Sequence, residues 1–204
     1  MWFLILCGSV LISEITALAI EKLYTIYIDE LSFPEKLGQF KIFRRLILNL
    51  TLLASYFMTV VYENQALAIL KIALVFLFMV IIITDFEQRM IFNVVLILIF
   101  GLSILFLWYM KLNFAEHFLI GGVVGAIFLI ISVIFKHSIA GGDIKLIFIC
   151  GFLFGINGIE IILTGAIFAG VAAILFLMTG IKKRTDYFAY GPYFSAAAII
   201  KILI

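Results

Sequence analysis

Long apolar runs separated by short polar stretches fill this chain. The runs cover 2–20, 46–62, 66–84, 94–110, 118–135 and 159–180. A shorter run covers 146–155, and a last one, opened by Tyr190-Gly191-Pro192-Tyr193, reaches Ile204. Their apolar positions recur at helical spacing or without a break, and nowhere with the alternation of a membrane-barrel strand. An apolar helix of about 20 residues crosses the hydrocarbon core with its backbone groups satisfied internally. The pattern therefore predicts an all-α fold: a polytopic membrane helical bundle of about eight transmembrane segments. One membrane-embedded domain is expected over 1–204, with 21–45 as a short cytoplasmic loop. The run at 146–155 is short for a span, so it either begins at the preceding acid, Asp143, or forms a half-helix.

Composition agrees with the pattern. Of 204 residues, 66% are hydrophobic and 13% charged, and mean hydropathy is +1.32. Those values exclude an ordinary soluble domain. A net charge of +2 gives no reason to expect nucleic acid as a partner; the lipid bilayer is the expected one. The placement of charge adds topology. The stretches 21–45, 85–93, 136–145 and 181–187 hold most of the Lys and Arg, whereas the opposite side carries Glu63, Glu116 and Glu160. The positive-inside rule puts the first set, with Asp85 and Asp143, at the cytoplasmic face and both termini outside. No basic residue precedes the first run, so it reads as an uncleaved anchor, although Ala17-Leu18-Ala19 is similar to a signal-peptidase site. Trp108 and Tyr109 form an interfacial belt, Lys71 snorkels outward, and Glu14 either faces the bundle interior or snorkels inward.

Cys7 and Cys150 lie within apolar runs without a CxxC partner and are expected to be buried and inert. His117 and His137 fall in different loops, so no metal site is expected. The ionisable groups at the ends of the runs are of more interest, because such a group is costly at a membrane boundary unless water or a partner satisfies it. Asp85 ends Ile81-Ile82-Ile83-Thr84-Asp85, and Asp143 lies in Gly141-Gly142-Asp143-Ile144-Lys145. Two carboxylates sharing one site cannot both ionise comfortably. One keeps a proton, and the other acts as base towards a water held between them. That pair hydrolyses an amide without metal or covalent intermediate. Taken singly, each acid could also be an interfacial charge or a helix cap.

Other residues have two readings each. Lys145 could hold a substrate carboxylate or act on a nearby acid, or it could be a positive-inside anchor. Glu87 and Arg89 could pair with each other, and Asn93 could cap the fourth helix. Gly191-Pro192 bends the chain before the last span, or simply starts a helix with Pro near its first position. Gly121, Gly122 and Gly125 let the fifth span pack closely.

Gly141-Gly142-Asp143-Ile144-Lys145 resembles the Gly-x-Gly-Asp-x-Lys signature of the type IV prepilin peptidases. The resemblance extends over about 66–204: an earlier acid at the end of a span (Asp85), a glycine-rich span (Gly121 to Gly125), the signature, and a late Gly191-Pro192 turn, in the family's order. Gly8-Ser9 is similar to part of the family's first span. The resemblance implies an aspartyl endopeptidase of the bacterial inner membrane, with Asp85 and Asp143 catalytic. Gly141, Gly142, Lys145, Gly191 and Pro192 would shape the site. The implied substrates are prepilin-like membrane proteins, cut at the cytoplasmic face behind a short basic leader. Pilus assembly, competence and protein secretion are the systems such substrates serve. The chain departs from the family at Ala140, where the first signature Gly would stand, at Phe92, where an Ile-Pro pair is common, and at Ala189, the first Pro of a Pro-Phe-Gly-Pro turn. Full-length bacterial members carry a longer first loop with two Cys pairs; here 21–45 has no Cys and no His. Such a segment cannot form a tetrahedral zinc site and falls below the ~40 residues a stable domain needs without staples. Peptide hydrolysis needs no cofactor, and methyl transfer from S-adenosylmethionine, which many relatives perform, is expected to be weak or absent. The competing readings are a small proton-coupled transporter, since intramembrane acids can relay protons, and an inactive peptidase-like scaffold.

Overall fold

A computed structural model describes residues 2–36, 40–60, 64–135, 139–179 and 188–204. Glu63, Lys136, His137 and the basic stretch 181–187 lie outside the described residues. The described chain is all-α: α1 (Trp2–Ile26), α2 (Lys41–Val60), α3 (Gln65–Gln88), α4 (Asn93–Tyr109), α5 (Phe114–Ile134), α6 (Gly141–Phe154), α7 (Asn157–Met178) and α8 (Gly191–Leu203). Two single-turn 3-10 helices, Ile28–Glu30 and Pro34–Lys36, join α1 to α2. Among the described residues, α3, α5 and α7 are long and apolar enough to cross a membrane, and α4 and α8 are shorter apolar helices. The fold is a helical membrane bundle.

Local chemistry sets the helix ends. The Asn64 side chain accepts from the backbone N–H groups of Ala66 and Leu67 and caps α3, and Asn113 caps α5 through Ala115. Arg89 ends α3 in the left-handed region (φ 53°), its N–H bonded to the Asp85 carbonyl. Pro192 sits in the first turn of α8, where a missing N–H is harmless.

Packing places α8 at the centre of the functional argument. It lies against both α3 and α6, while α3 also packs on α2 and α4, and α6 on α4, α5 and α7. Leu74, Phe78, Ile81, Ile99, Leu146 and Ile147 form the fully buried interior. The outer faces of α5 and α7 are apolar and exposed, with Leu119, Val123, Ile127 and Ile130 on one and Leu163, Ile167, Val171 and Ile174 on the other. Their three- and four-residue spacing makes each a stripe turned towards lipid.

Glycines bring α5, α6 and α7 to backbone contact. A Cβ on Gly121 would lie 2.8 Å from the Phe148 carbonyl oxygen, one on Gly151 2.9 Å from the Gly121 Cα, and one on Gly158 2.9 Å from the Gly151 Cα. Small residues at such crossings replace the hydrophobic drive that lipid removes. Gly121→Val is expected to destabilise the bundle by about 3 kcal/mol. Gly122→Ala, which faces open space, is expected to leave the thermal midpoint in detergent unchanged. Equal midpoints for the two variants would contradict the contact.

Four sequence expectations are corrected. The polar stretch 85–93 is not all loop, because α3 continues to Gln88. It continues because Thr84, Asp85, Glu87 and Gln88 turn inward and are buried, and only Phe86 faces out. The stretch 21–45 is not all loop either, since α1 runs on to Ile26 and α2 begins at Lys41. Asn93 does not cap α4: Phe92 takes the N-cap position without a side-chain bond, and Asn93 is the first helical residue. Cys150 is buried, but Cys7 is exposed on the face of α1.

Candidate active site

Asp85 projects from the last turns of α3 and Asp143 from the first turn of α6, and both are only 4% exposed. The sequence separates them by two helices, yet both line one cavity of about 190 Å³, together with Arg89, Ile91, Ala140, Gly142, Phe188 and Ala189. The two carboxylates lie within electrostatic reach of each other. Between them stands the start of α8. The Asp143 carboxylate accepts a hydrogen bond from the backbone of Gly191. A Cβ on Gly191 would fall 2.6 Å from Asp85 Oδ2. One glycine therefore touches both acids, with its N–H turned to one and its bare Cα to the other. The N-terminal end of a helix carries a partial positive charge, which suits carboxylates placed there.

A sequence model of the type IV leader peptidase family matches residues 72–177. That is just over half of the chain, and it contains both acids. The chain belongs to the type IV leader peptidase family. No curated protein and no solved structure matches it.

In this leader peptidase Gly191 and Pro192 lie beyond the matched stretch; in space Gly191 stands against Asp85, and Pro192 lines a neighbouring cavity. Asp85 also faces a second cavity of about 280 Å³, walled by Phe33, Phe40, Phe86, Phe176, Phe188, Pro192 and Tyr193. The Tyr193 hydroxyl feels the charge of Asp85. Phe188 stacks on Tyr193 with ring centroids 5.4 Å apart. The acid pair thus opens on one side into an aromatic chamber. Phe33 and Phe40 come from the shortened first loop, which Gln88 ties to α3. The Phe33 N–H donates to Gln88 Oε1 at 3.0 Å, and Gln88 Nε2 donates to the Phe33 carbonyl at 3.1 Å. Sequence reasoning missed these aromatic residues, because nothing in their spacing marks them; Tyr193 alone stood in a motif already singled out.

The other signature residues divide. Gly142 closes on Ile91, where a Cβ would lie 3.1 Å from the Ile91 Cβ, and it lines the acid cavity. Gly141 is exposed, with open space where a Cβ would be. Ala140 lines the cavity in an extended conformation (φ −69°, ψ 148°) that any residue adopts, so the missing glycine leaves no backbone strain. Phe92 has φ −72°, the value a proline would impose, and its ring packs on Tyr24 and Tyr27.

Lys145 lines neither acid cavity. Its Nζ donates to Asn93 Oδ1 at 2.8 Å, at the mouth of an apolar groove of about 670 Å³ between α4, α5 and α6. Residues two apart on a helix point to opposite sides, so a lysine two past Asp143 leaves the acid's face. The expected Glu87–Arg89 pair is also corrected. Glu87 binds Arg44 at 2.7 Å, and Arg89 lies over the Phe33 ring, 4.9 Å from its centroid. Glu14 pairs with Arg45 at 3.2 Å, and His117 Nδ1 lies 2.8 Å from the Phe152 carbonyl oxygen. Among the described residues no three His, Cys, Asp or Glu side chains are grouped to hold a metal ion.

Proposed function

We propose that this leader peptidase is an aspartyl endopeptidase of the bacterial inner membrane. Its substrates are type IV prepilin-like proteins, and it removes their short basic leader at the cytoplasmic face. The observation that carries the reading is that Asp85 and Asp143 line one cavity, with Gly191 beside both. One carboxyl holds a proton while the other, ionised, takes a proton from a water between them. The water oxygen bonds to the scissile carbonyl carbon. The protonated carboxyl donates to the carbonyl oxygen as it gains charge, and collapse of the tetrahedral intermediate expels the amine with a returned proton. The substrate's leader is extended when it enters the cavity, and the aromatic chamber beside Asp85 receives apolar residues flanking the cut. Hydrolysis by this route uses no cofactor.

The test is cleavage of a membrane substrate bearing a short basic leader, in membranes of a host that lacks other such peptidases. Appearance of the shortened product only when the chain is present supports the reading; an intact substrate rejects it. The cytoplasmic placement has its own test. In a chain freed of Cys7 and Cys150, an impermeant maleimide should label Glu116→Cys in intact cells but Glu35→Cys only after permeabilisation. Labelling of both from one side would reject the topology.

A further inference from the structure

We propose that Arg44 and Glu87 are positioning residues that fix the direction in which Asp85 points. This rests on the reading of Asp85 as one of the two acids of the site. Arg44 is 1% exposed and Glu87 8%, so both charges are buried. Arg44 Nη2 donates to Glu87 Oε2 at 2.7 Å and Nε to Oε1 at 3.1 Å, a two-pronged grip on one carboxylate. The Tyr24 hydroxyl donates to the same Oε2 at 2.9 Å, and the guanidinium lies over the Tyr24 ring, 5.2 Å from its centroid. Arg44 Nη1 faces Glu21 Oε1 at 3.7 Å. Helices α1 and α2 therefore meet α3 on one carboxylate, two residues beyond Asp85.

Cohesion alone does not account for this pair. Burying two charges is costly, and apolar side chains of similar volume commonly hold helices together as well or better. A fork bonded to both oxygens adds a directional constraint to that packing: it favours one rotation of α3 about its own axis. Rotation matters here because residues two apart are separated by about 200° around a helix. Any turn that relaxes Glu87 carries Asp85 across its cavity, away from Gly191. The turn that carries Asp85 is tied down through its neighbours, where Glu87 grips Arg44 and Gln88 grips the Phe33 backbone.

Two measurements on the full chain test the proposal. The first is kinetic. Arg44→Lys keeps the charge and loses the fork, and kcat is expected to fall about 100-fold with KM unchanged, the usual effect of a small misplacement of a reacting group. Arg44→Met/Glu87→Leu is expected to melt at or above the wild-type temperature while kcat stays low. Wild-type kcat in Arg44→Lys, or kcat restored in the apolar double variant, would overturn the proposal. The second measurement needs no cleavage. In a chain with Cys7→Ser and Cys150→Ala, Asp85→Cys and Asp143→Cys are cross-linked with a short bis-methanethiosulfonate. Adding Arg44→Met/Glu87→Leu should slow the cross-link several-fold at an unchanged melting temperature, and an unchanged rate would overturn the proposal. Because this arm reads geometry alone, a wild-type chain that cut no leader would sink the peptidase reading, while the cross-linking rates would still decide whether Arg44 and Glu87 aim Asp85.

Discussion

Asp85→Asn and Asp143→Asn are each expected to lower the rate of leader cleavage by about 10⁴-fold, the upper range for loss of a general acid or base. Asparagine has nearly the shape of aspartate and can still accept the hydrogen bond that Gly191 gives Asp143. It cannot take a proton from water or hold one for the carbonyl oxygen. The bundle should therefore remain folded, with a thermal midpoint in detergent at or slightly above that of the wild type, since a buried ionisable group has been replaced by a neutral one of the same shape. The double variant should be no slower than either single one, because two residues acting on one water form a unit. Cleavage by mature-product mass spectrometry, with midpoints measured on the same preparations, checks all three statements. Substantial cleavage by either single variant would take that residue out of the pair. A double variant far slower than both would show that the acids act at separate steps.

The sequence makes some of this site legible and hides the rest for definite reasons. Asp85 and Asp143 stand out because a carboxylate at the end of an apolar run has to be explained. The charge of the loops puts both at one depth. Their meeting is a property of packing: α8 lies against α3 and α6 and delivers Gly191 between them. Gly191-Pro192 reads in sequence only as a bend or a helix start. Hydropathy fails at 85–89, because every position there except Phe86 is polar or charged and the stretch looks like a loop. Tyr24 of α1, Arg44 of α2 and the Phe33 backbone between them supply the partners of that turn. Arg44 fails in the same way. Beside Arg45 it reads as a flanking charge of the positive-inside kind, yet Arg45 is partly exposed and bonded to Glu14, while Arg44 is enclosed and bonded to Glu87. Periodicity would have told them apart only if the inward face of α2 had been known. Lys145 shows the opposite failure, because adjacency in the signature suggested adjacency in space and a helix places residues two apart on different sides.

Gly191→Ala is the smallest change expected to disable the site. An added methyl group would lie 2.6 Å from Asp85 Oδ2 and 2.9 Å from Ile91 Cδ1, both well inside ordinary contact. The backbone conformation is not the obstacle, since Gly191 does not have a positive φ. The N–H that bonds Asp143 is kept as well. Two responses remain open to the protein: Asp85 swings away, or the first turn of α8 withdraws and takes its hydrogen bond from Asp143. Either separates the acids from a shared water. A displacement of that size is expected to cost about 100-fold in kcat, against a stability loss of only about 1–3 kcal/mol for the extra volume. Gly141→Ala supplies the control, because it adds the same methyl group to the same signature where nothing lies within 4 Å; its activity and midpoint should match the wild type. Gly142→Ala should fall between, since its 3.1 Å approach to the Ile91 Cβ can be relieved by a small shift of one side chain. Rates and thermal midpoints for the three variants on one substrate give the order. If Gly191→Ala cleaved as fast as Gly141→Ala, the close approach of α8 to Asp85 would have no part in the reaction, and the acids would have to be held together by α3 and α6 alone.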